Sequence, residues 1–173
     1  MSARADATPL VGMIVFLASL AMVFFALLFA FGMAREGLVA WSPPALGSTE
    51  AALPVLSAAI AAASSALLEW GRRADRAAPC AAAAALAPVF LLVQIKLWTA
   101  LARAGLDPAA PADGMVYALA GFHGAHAAVG AIGLAWSMAR ARRGRRGSLR
   151  YWSMFWHFVG AWWLAIYAAV FVV

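Results

Sequence analysis

The chain has 173 residues, of which 66% are hydrophobic and only 12% charged, with a mean hydropathy of +0.86. So little charge cannot cover the surface of a water-soluble domain of this length, which excludes the soluble enzyme and binding-module classes. The net charge of +6 is carried by arginines close to apolar runs, a placement that suits membrane topology and anionic lipid headgroups rather than nucleic acid.

Five stretches free of Asp, Glu, Lys and Arg approach or exceed the roughly 20 apolar residues that a bilayer crossing takes. They predict an all-α, polytopic membrane fold: a bundle of five transmembrane helices over about 9–34, 52–70, 80–102, 114–139 and 151–173, in one domain covering 1–173. Arg4 precedes the first apolar run as it would in a signal peptide. That run of about 25 residues exceeds the roughly 7–15 of an h-region, so the first helix is expected to be retained.

The connection "REGLVAWSPPALGSTEA" (35–51) follows, and its Pro-Pro forbids helix continuation. The second span ends at Glu69, with Arg72 and Arg73 three and four residues on, on the same helical face. Either an interfacial ion pair or a carboxylate turned toward a partner or a lipid cleft fits that spacing. The third span begins near Cys80, the only cysteine, which makes an internal disulfide impossible. Gln94 lies inside this span and needs a hydrogen-bond partner on a neighbouring helix. Lys96 can snorkel to the outer surface.

The fourth span contains "GFHGAHAAVG" (121–130), two histidines among small residues. Counting 1.5 Å per residue places His123 about 12 Å and His126 about 16 Å below the outer edge of the apolar core. Ionisable groups at that depth are costly and usually functional. Gly121, Gly124 and Ala128 permit close helix approach. The fifth span, "YWSMFWHFVGAWWLAIYAAVFVV", holds His157 roughly 6–9 Å from the inner edge. Its Tyr151 and Trp152 suit the interfacial belt, whereas Trp156, Phe158, Trp162 and Trp163 go too deep for it and read as packing surface.

Three readings compete for the histidines. Bis-His haem ligation needs two imidazoles at one height, and His126 and His157 differ by roughly 5–8 Å. A transition-metal site wants three or four convergent ligands, and no Cys, Asp or Glu lies nearby. The third reading is hydrogen bonding between helices, or to a lipid or partner subunit.

The loops sort by charge. Arg72, Arg73 and Arg76 sit in one, and Arg140, Arg142, Arg143, Arg145, Arg146 and Arg150 in another; the two opposite loops carry only Arg35 and Arg103. The positive-inside rule then puts the N-terminus in the cytoplasm and the C-terminus outside.

Read together, these segments resemble subunit III of the haem–copper respiratory oxidases, the cytochrome c oxidase subunit 3 family, in its short five-helix bacterial form. "FLASLAMVFFALLFAF" is similar to the first helix of that form. "SSALLEWGRR" carries Ser64, Ser65, Glu69 and Trp70 of a Ser-Ser…Glu-Trp motif. "FLLVQIKLWTALARAGL" matches a Gln…Trp…Leu…Gly pattern through Gln94, Trp98, Leu101 and Gly105. "GFHGAHAAVG" matches Phe-His-Gly-x-His…Gly, and "FWHFVGAWWLAIY" the closing Trp-His-Phe-Val…Trp motif through Trp156, His157 and Trp163. Three acidic positions of the pattern are missing: Leu20, Leu97 and Gly160 stand where relatives carry Glu, Glu and Asp.

The resemblance implies a non-catalytic subunit that carries no haem, copper or other metal. It would pack on oxidase subunit I (and II), where the haem and copper reside, and hold phospholipids in a bacterial cytoplasmic (inner) membrane. The parent complex would reduce oxygen and pump protons in aerobic respiratory electron transport. Glu69, Trp70, Gln94, Trp98, His123, His126, Trp156, His157 and Trp163 become residues for structural, lipid or subunit contact, with His157 a candidate partner for the other two histidines. Two alternatives stay open. One is an accessory protein of nitric oxide reductase with the same fold, and the other is a haem b-binding membrane anchor for electron transfer.

Overall fold

The computed structural model describes residues 2–36, 42–145 and 147–172, with backbone alone over 2–7. The Arg4 side chain, residues 37–41 of the first connection, Arg146 of the basic loop and Val173 lie outside the described residues. Five helices account for nearly all of the rest: α1 (Ser2–Glu36), α2 (Leu53–Arg73), α3 (Ala77–Arg103), α4 (Pro111–Ala141) and α5 (Gly147–Tyr167). The last of these widens into π geometry over Ala168–Val172. All five are long and apolar enough to cross a membrane, over Thr8–Glu36, Leu53–Arg73, Ala77–Arg103, Pro111–Ala141 and Gly147–Val172. No strand occurs among the described residues.

Local chemistry sets where the helices start and stop. Prolines open α2 (Pro54) and α4 (Pro111), where a missing N–H costs nothing. At the far ends, α3 and α4 stop at Gly105 (φ +86°) and Gly144 (φ +77°), left-handed positions open to glycine. The Leu106 N–H then reaches back to the Leu101 carbonyl and the Arg145 N–H to that of Arg140, satisfying carbonyls the helix leaves open. α2 ends the same way with Asp75 (φ 52°) in the left-handed position and the Arg76 N–H on the Gly71 carbonyl.

The packing pairs are α2 with α3, α3 with α4, α4 with α5, and α5 back to α2, which closes a four-helix ring. α1 stands outside this ring, laid mainly along α4 and α5. Its inward residues Leu20, Phe24 and Phe31 are buried, while Phe16, Met22, Phe25 and Phe29 face outward at more than half exposure. Large apolar side chains on the outside of α1, α3 and α4 (Leu92, Ile95 and Ile132 among them) require a lipid or protein neighbour, not water.

In lipid, association rests on close packing and hydrogen bonds, because the tails are as apolar as the helices. The closest packing joins α4 to α5. A methyl group added at Gly133 would fall inside the Trp152 indole, and one at Gly130 would come within 3.0 Å of Trp156 and 3.3 Å of Phe155. Gly124, by contrast, has nothing within 4 Å of such a methyl. One side-chain hydrogen bond ties α5 to its ring neighbour α2: the buried Trp156 Nε1–H donates to Ser64 Oγ at 2.8 Å, while Ser64 donates to the Ala61 carbonyl of its own helix at 3.1 Å.

Two outcomes are expected in thermal unfolding of the purified protein. Gly133→Ala destabilises by about 1–3 kcal/mol through overpacking, whereas Gly124→Ala leaves the transition in place. A double-mutant cycle on Ser64→Ala and Trp156→Phe gives a coupling of about 0.5–1.5 kcal/mol; zero coupling would show that the bond adds nothing to stability.

Candidate functional site

The ring geometry decides what the polar residues of the spans can meet. His123 projects from α4 into the ring and is fully buried. Its Nε2 lies 3.1 Å from the Val159 carbonyl of α5. A carbonyl only accepts, so Nε2 carries the proton and Nδ1 keeps the lone pair. Nδ1 has no hydrogen-bond partner among the described residues. Phe90 of α3 and Trp163 of α5 flank the ring at centroid distances of 5.9 and 5.4 Å.

His126, three residues on, serves a different neighbour. Its Nδ1–H donates to the Phe122 carbonyl one turn back on α4 at 2.7 Å. Its ring packs on Phe122 at 4.4 Å and on Phe24 of α1 at 5.6 Å. Trp162 stacks on the other side of this contact, 5.0 Å from Phe24. The two histidines share a helix and not a site.

His157, the partner expected for them, joins neither. It turns toward α2, where its Nε2 is 3.8 Å from Glu69 Oε2, beyond hydrogen-bonding length. Glu69 spends its oxygens on its own helix, accepting from Arg73 Nε at 2.6 Å and from Arg72 at 3.1 Å. The Glu69–arginine spacing therefore gives an ion pair, with a histidine of another helix beside it. The physical reason for the displacement of His157 is its position on α5: successive residues diverge by about 100°, and Trp156 and Val159 hold the ring interior and the His123 contact.

The remaining polar and aromatic residues sort by depth and face. Gln94 Nε2 and Trp163 Nε1 are buried and find no hydrogen-bond partner among the described residues, so the neighbour expected for Gln94 is not met. Trp163 is one of the largest buried side chains. Both line an apolar cavity of about 270 Å³ between α3, α4 and the end of α5. Trp98 closes one side of it over Gly121, where an added methyl would come within 3.0 Å of the indole. Trp98 and Trp70 are about half exposed, and the Arg76 guanidinium lies 5.9 Å over the Trp70 ring. Lys96 is exposed, with its side chain free to reach outward.

Two contacts escaped sequence reasoning. The Trp156–Ser64 bond had only the Ser-Ser motif as a signal, and Gly133 only its spacing of three from Gly130. Among the described residues no three of His, Cys, Asp and Glu come together as a metal site. The three histidines face α5, α1 and α2 respectively. This arrangement ties helices to one another and holds no convergent set of reactive groups.

The profile of the family described as cytochrome c oxidase subunit III matches residues 7–173, essentially the whole chain. Subunits of this family belong to haem–copper oxidase complexes and carry no metal centre of their own. The chain is a multi-pass membrane protein and belongs to the cytochrome c oxidase subunit III family.

Proposed function

We propose that this chain is a non-catalytic subunit of a bacterial haem–copper terminal oxidase, one five-helix domain that steadies the catalytic subunit and holds phospholipid at its side. The complex would reduce oxygen and pump protons in aerobic respiratory electron transport, with haem and copper in subunits I and II. The observation that carries this reading is the commitment of His123, His126 and His157 to three different neighbours, each inside the bundle. A haem anchor needs two imidazoles facing one iron, and here His123, His126 and His157 turn toward α5, α1 and α2 respectively.

The apolar exterior supports the partner. Met22, Phe25 and Phe29 along α1 offer an apolar surface for helices or acyl chains. The arginine asymmetry supports a cytoplasmic N-terminus in an inner membrane, with the arginine-rich ends of α2 and α4 inside. Glu69, Trp70, Gln94, Trp98, Trp156 and Trp163 then act in lipid, subunit or helix contact and none of them in chemistry.

Purification through an N-terminal tag from the host membranes in mild detergent tests this. Recovery of a haem- and copper-bearing subunit I is the expected result, together with a reduced-minus-oxidised spectrum that leaves with that subunit when this chain is stripped away. Recovery of nitric oxide reductase subunits in its place would move the chain to that complex. A haem signal that stays with the isolated chain and vanishes in His126→Ala would overturn the non-catalytic reading.

A further inference from the structure

The cavity of about 270 Å³ between α3, α4 and the end of α5 brings two unserved donors to an apolar space. Gln94 and Trp163 line it, and no described residue accepts from Gln94 Nε2–H or Trp163 Nε1–H. Trp163 is only 1% exposed, so bulk water does not serve its indole. A buried donor left without an acceptor is costly. Among the described residues no charged side chain lines the cavity, and the bare backbones of Gly121 and Gly124 keep it open on the α4 side. It reaches the outside of the α3–α4 seam, because Ile95, Trp98 and Ala125 line it and are themselves exposed.

These features narrow the occupant. The donors call for an oxygen that accepts, and an uncharged apolar lining calls for a neutral molecule. Water fits poorly: at about 30 Å³ each, several molecules would share these few partners, and each needs roughly 2–4. A glycerolipid ester fits poorly as well. Counting about 1.5 Å per residue from Arg103 puts Gln94 roughly 13 Å inside the nearer end of α3. Trp163 lies at the height of His123, 5.4 Å from its ring. An ester carbonyl drawn to that depth would pull its phosphate into the apolar core. The volume falls just below the roughly 300–1,000 Å³ of drug-sized sites, room for one ring and not for a whole lipid. Trp98 and Trp163 supply aromatic walls for such a ring.

We propose that this cavity binds the head of a membrane-dissolved quinone. Its ring carbonyl accepts from Trp163 Nε1–H and Gln94 Nε2–H, and its apolar tail leaves between α3 and α4. Among the described residues the lining holds no acid or base to move a proton, so the site binds its ligand without turning it over. The site goes beyond the proposed function and holds whichever partner subunits accompany the chain.

The test photolabels the complex as isolated with an azido-ubiquinone and maps the labelled peptides of this chain by mass spectrometry. Mapping by peptide separates this site from any quinone site in a partner subunit. Label is expected on α3 and α4 along the seam, removed by excess decylubiquinone and not by dodecane at equal concentration. Gln94→Leu with Trp163→Phe lowers it about tenfold, the effect of losing two neutral hydrogen bonds. Gly124→Leu abolishes it by filling the space: the first carbon of a side chain there meets nothing within 4 Å, in the cavity that Gly124 lines. Ile132→Ala, on the exposed face of α4 and outside the cavity, keeps the parental labelling.

A parent without label along the seam overturns the site, and so does equal labelling of the parent and the double variant. Equal displacement by dodecane assigns the cavity to acyl chains and overturns the quinone. Should the double variant fail to assemble, Gln94→Leu alone carries the comparison, with an expected loss of about threefold. A Gln94→Leu protein that melts earlier and labels as the parent does assigns the amide to internal water and refutes the proposal.

Discussion

The aromatic side chains of α5 lie directly on glycines of α4, and the rest of the ring is arranged around that contact. Trp152 covers Gly133 so closely that no side chain fits between them, and Phe155 and Trp156 close on Gly130 one turn away. The backbones approach because α4 contributes no side-chain thickness there, a common solution where lipid offers no hydrophobic drive for association. This approach brings the Val159 carbonyl within 3.1 Å of His123. It also aims Trp156 toward Ser64 on the adjacent α2. An α4 thickened at Gly133 would shift all three contacts together.

The outside follows a different logic. The described surface is dominated by exposed Phe, Leu, Ile, Met and Val, and α1 is the least enclosed helix, with only 17% of its apolar window buried. It is fastened at its middle and at its C-terminal end. Phe24 packs against Phe122, Phe158 and Trp162, and Arg35 Nη1 donates to the Ala169 carbonyl at 3.3 Å, where α5 has widened. A π turn shifts the register of backbone bonding, and this carbonyl accepts a side chain from the neighbouring helix. The remaining flank of α1 is left to whatever fills the membrane beside it.

These two logics explain what could be read in the sequence. The five spans were legible because charge is nearly absent from them, with only Glu69 and Lys96 inside the second and third, and the break before α2 because Pro43 and Pro44 are local signals. The placement of α1 on α4 and α5 was not, since its outer and inner faces are equally apolar and carry no periodic contrast. The histidines show the same limit at the level of single residues. Their depth followed from counting, but their direction did not: His126 closes on its own helix, and His157 turns to Glu69. Side-chain direction on a helix depends on rotamer and neighbour, and in an Ala- and Gly-rich chain the neighbours are set by backbone approach, which spacing alone leaves open. Gly133, hidden in "GAIGLAW", matters more to that approach than Gly124 in the more conspicuous histidine motif.

The three positions where the family resemblance leads one to look for acids separate on the same grounds. Leu20 and Leu97 are buried in apolar packing, 8% and 2% exposed. A carboxylate at either place would need a partner at membrane depth. Gly160 is different. A side chain there would point toward Ser65, 3.6 Å from its Oγ, with Ala61 the next neighbour, so space does not demand glycine. Filled volume thus stands at two of these positions, and an open position beside a hydroxyl at the third. Among the described residues, the polar groups buried in the ring include His123, Gln94, the indoles of Trp156 and Trp163, and serines bonded to their own helices. Such a ring can fix helices at set distances. A path for protons through it would need ionisable groups that succeed one another across the membrane, and among the described residues the only carboxylate in contact with a histidine is Glu69, at the arginine-bearing end of α2.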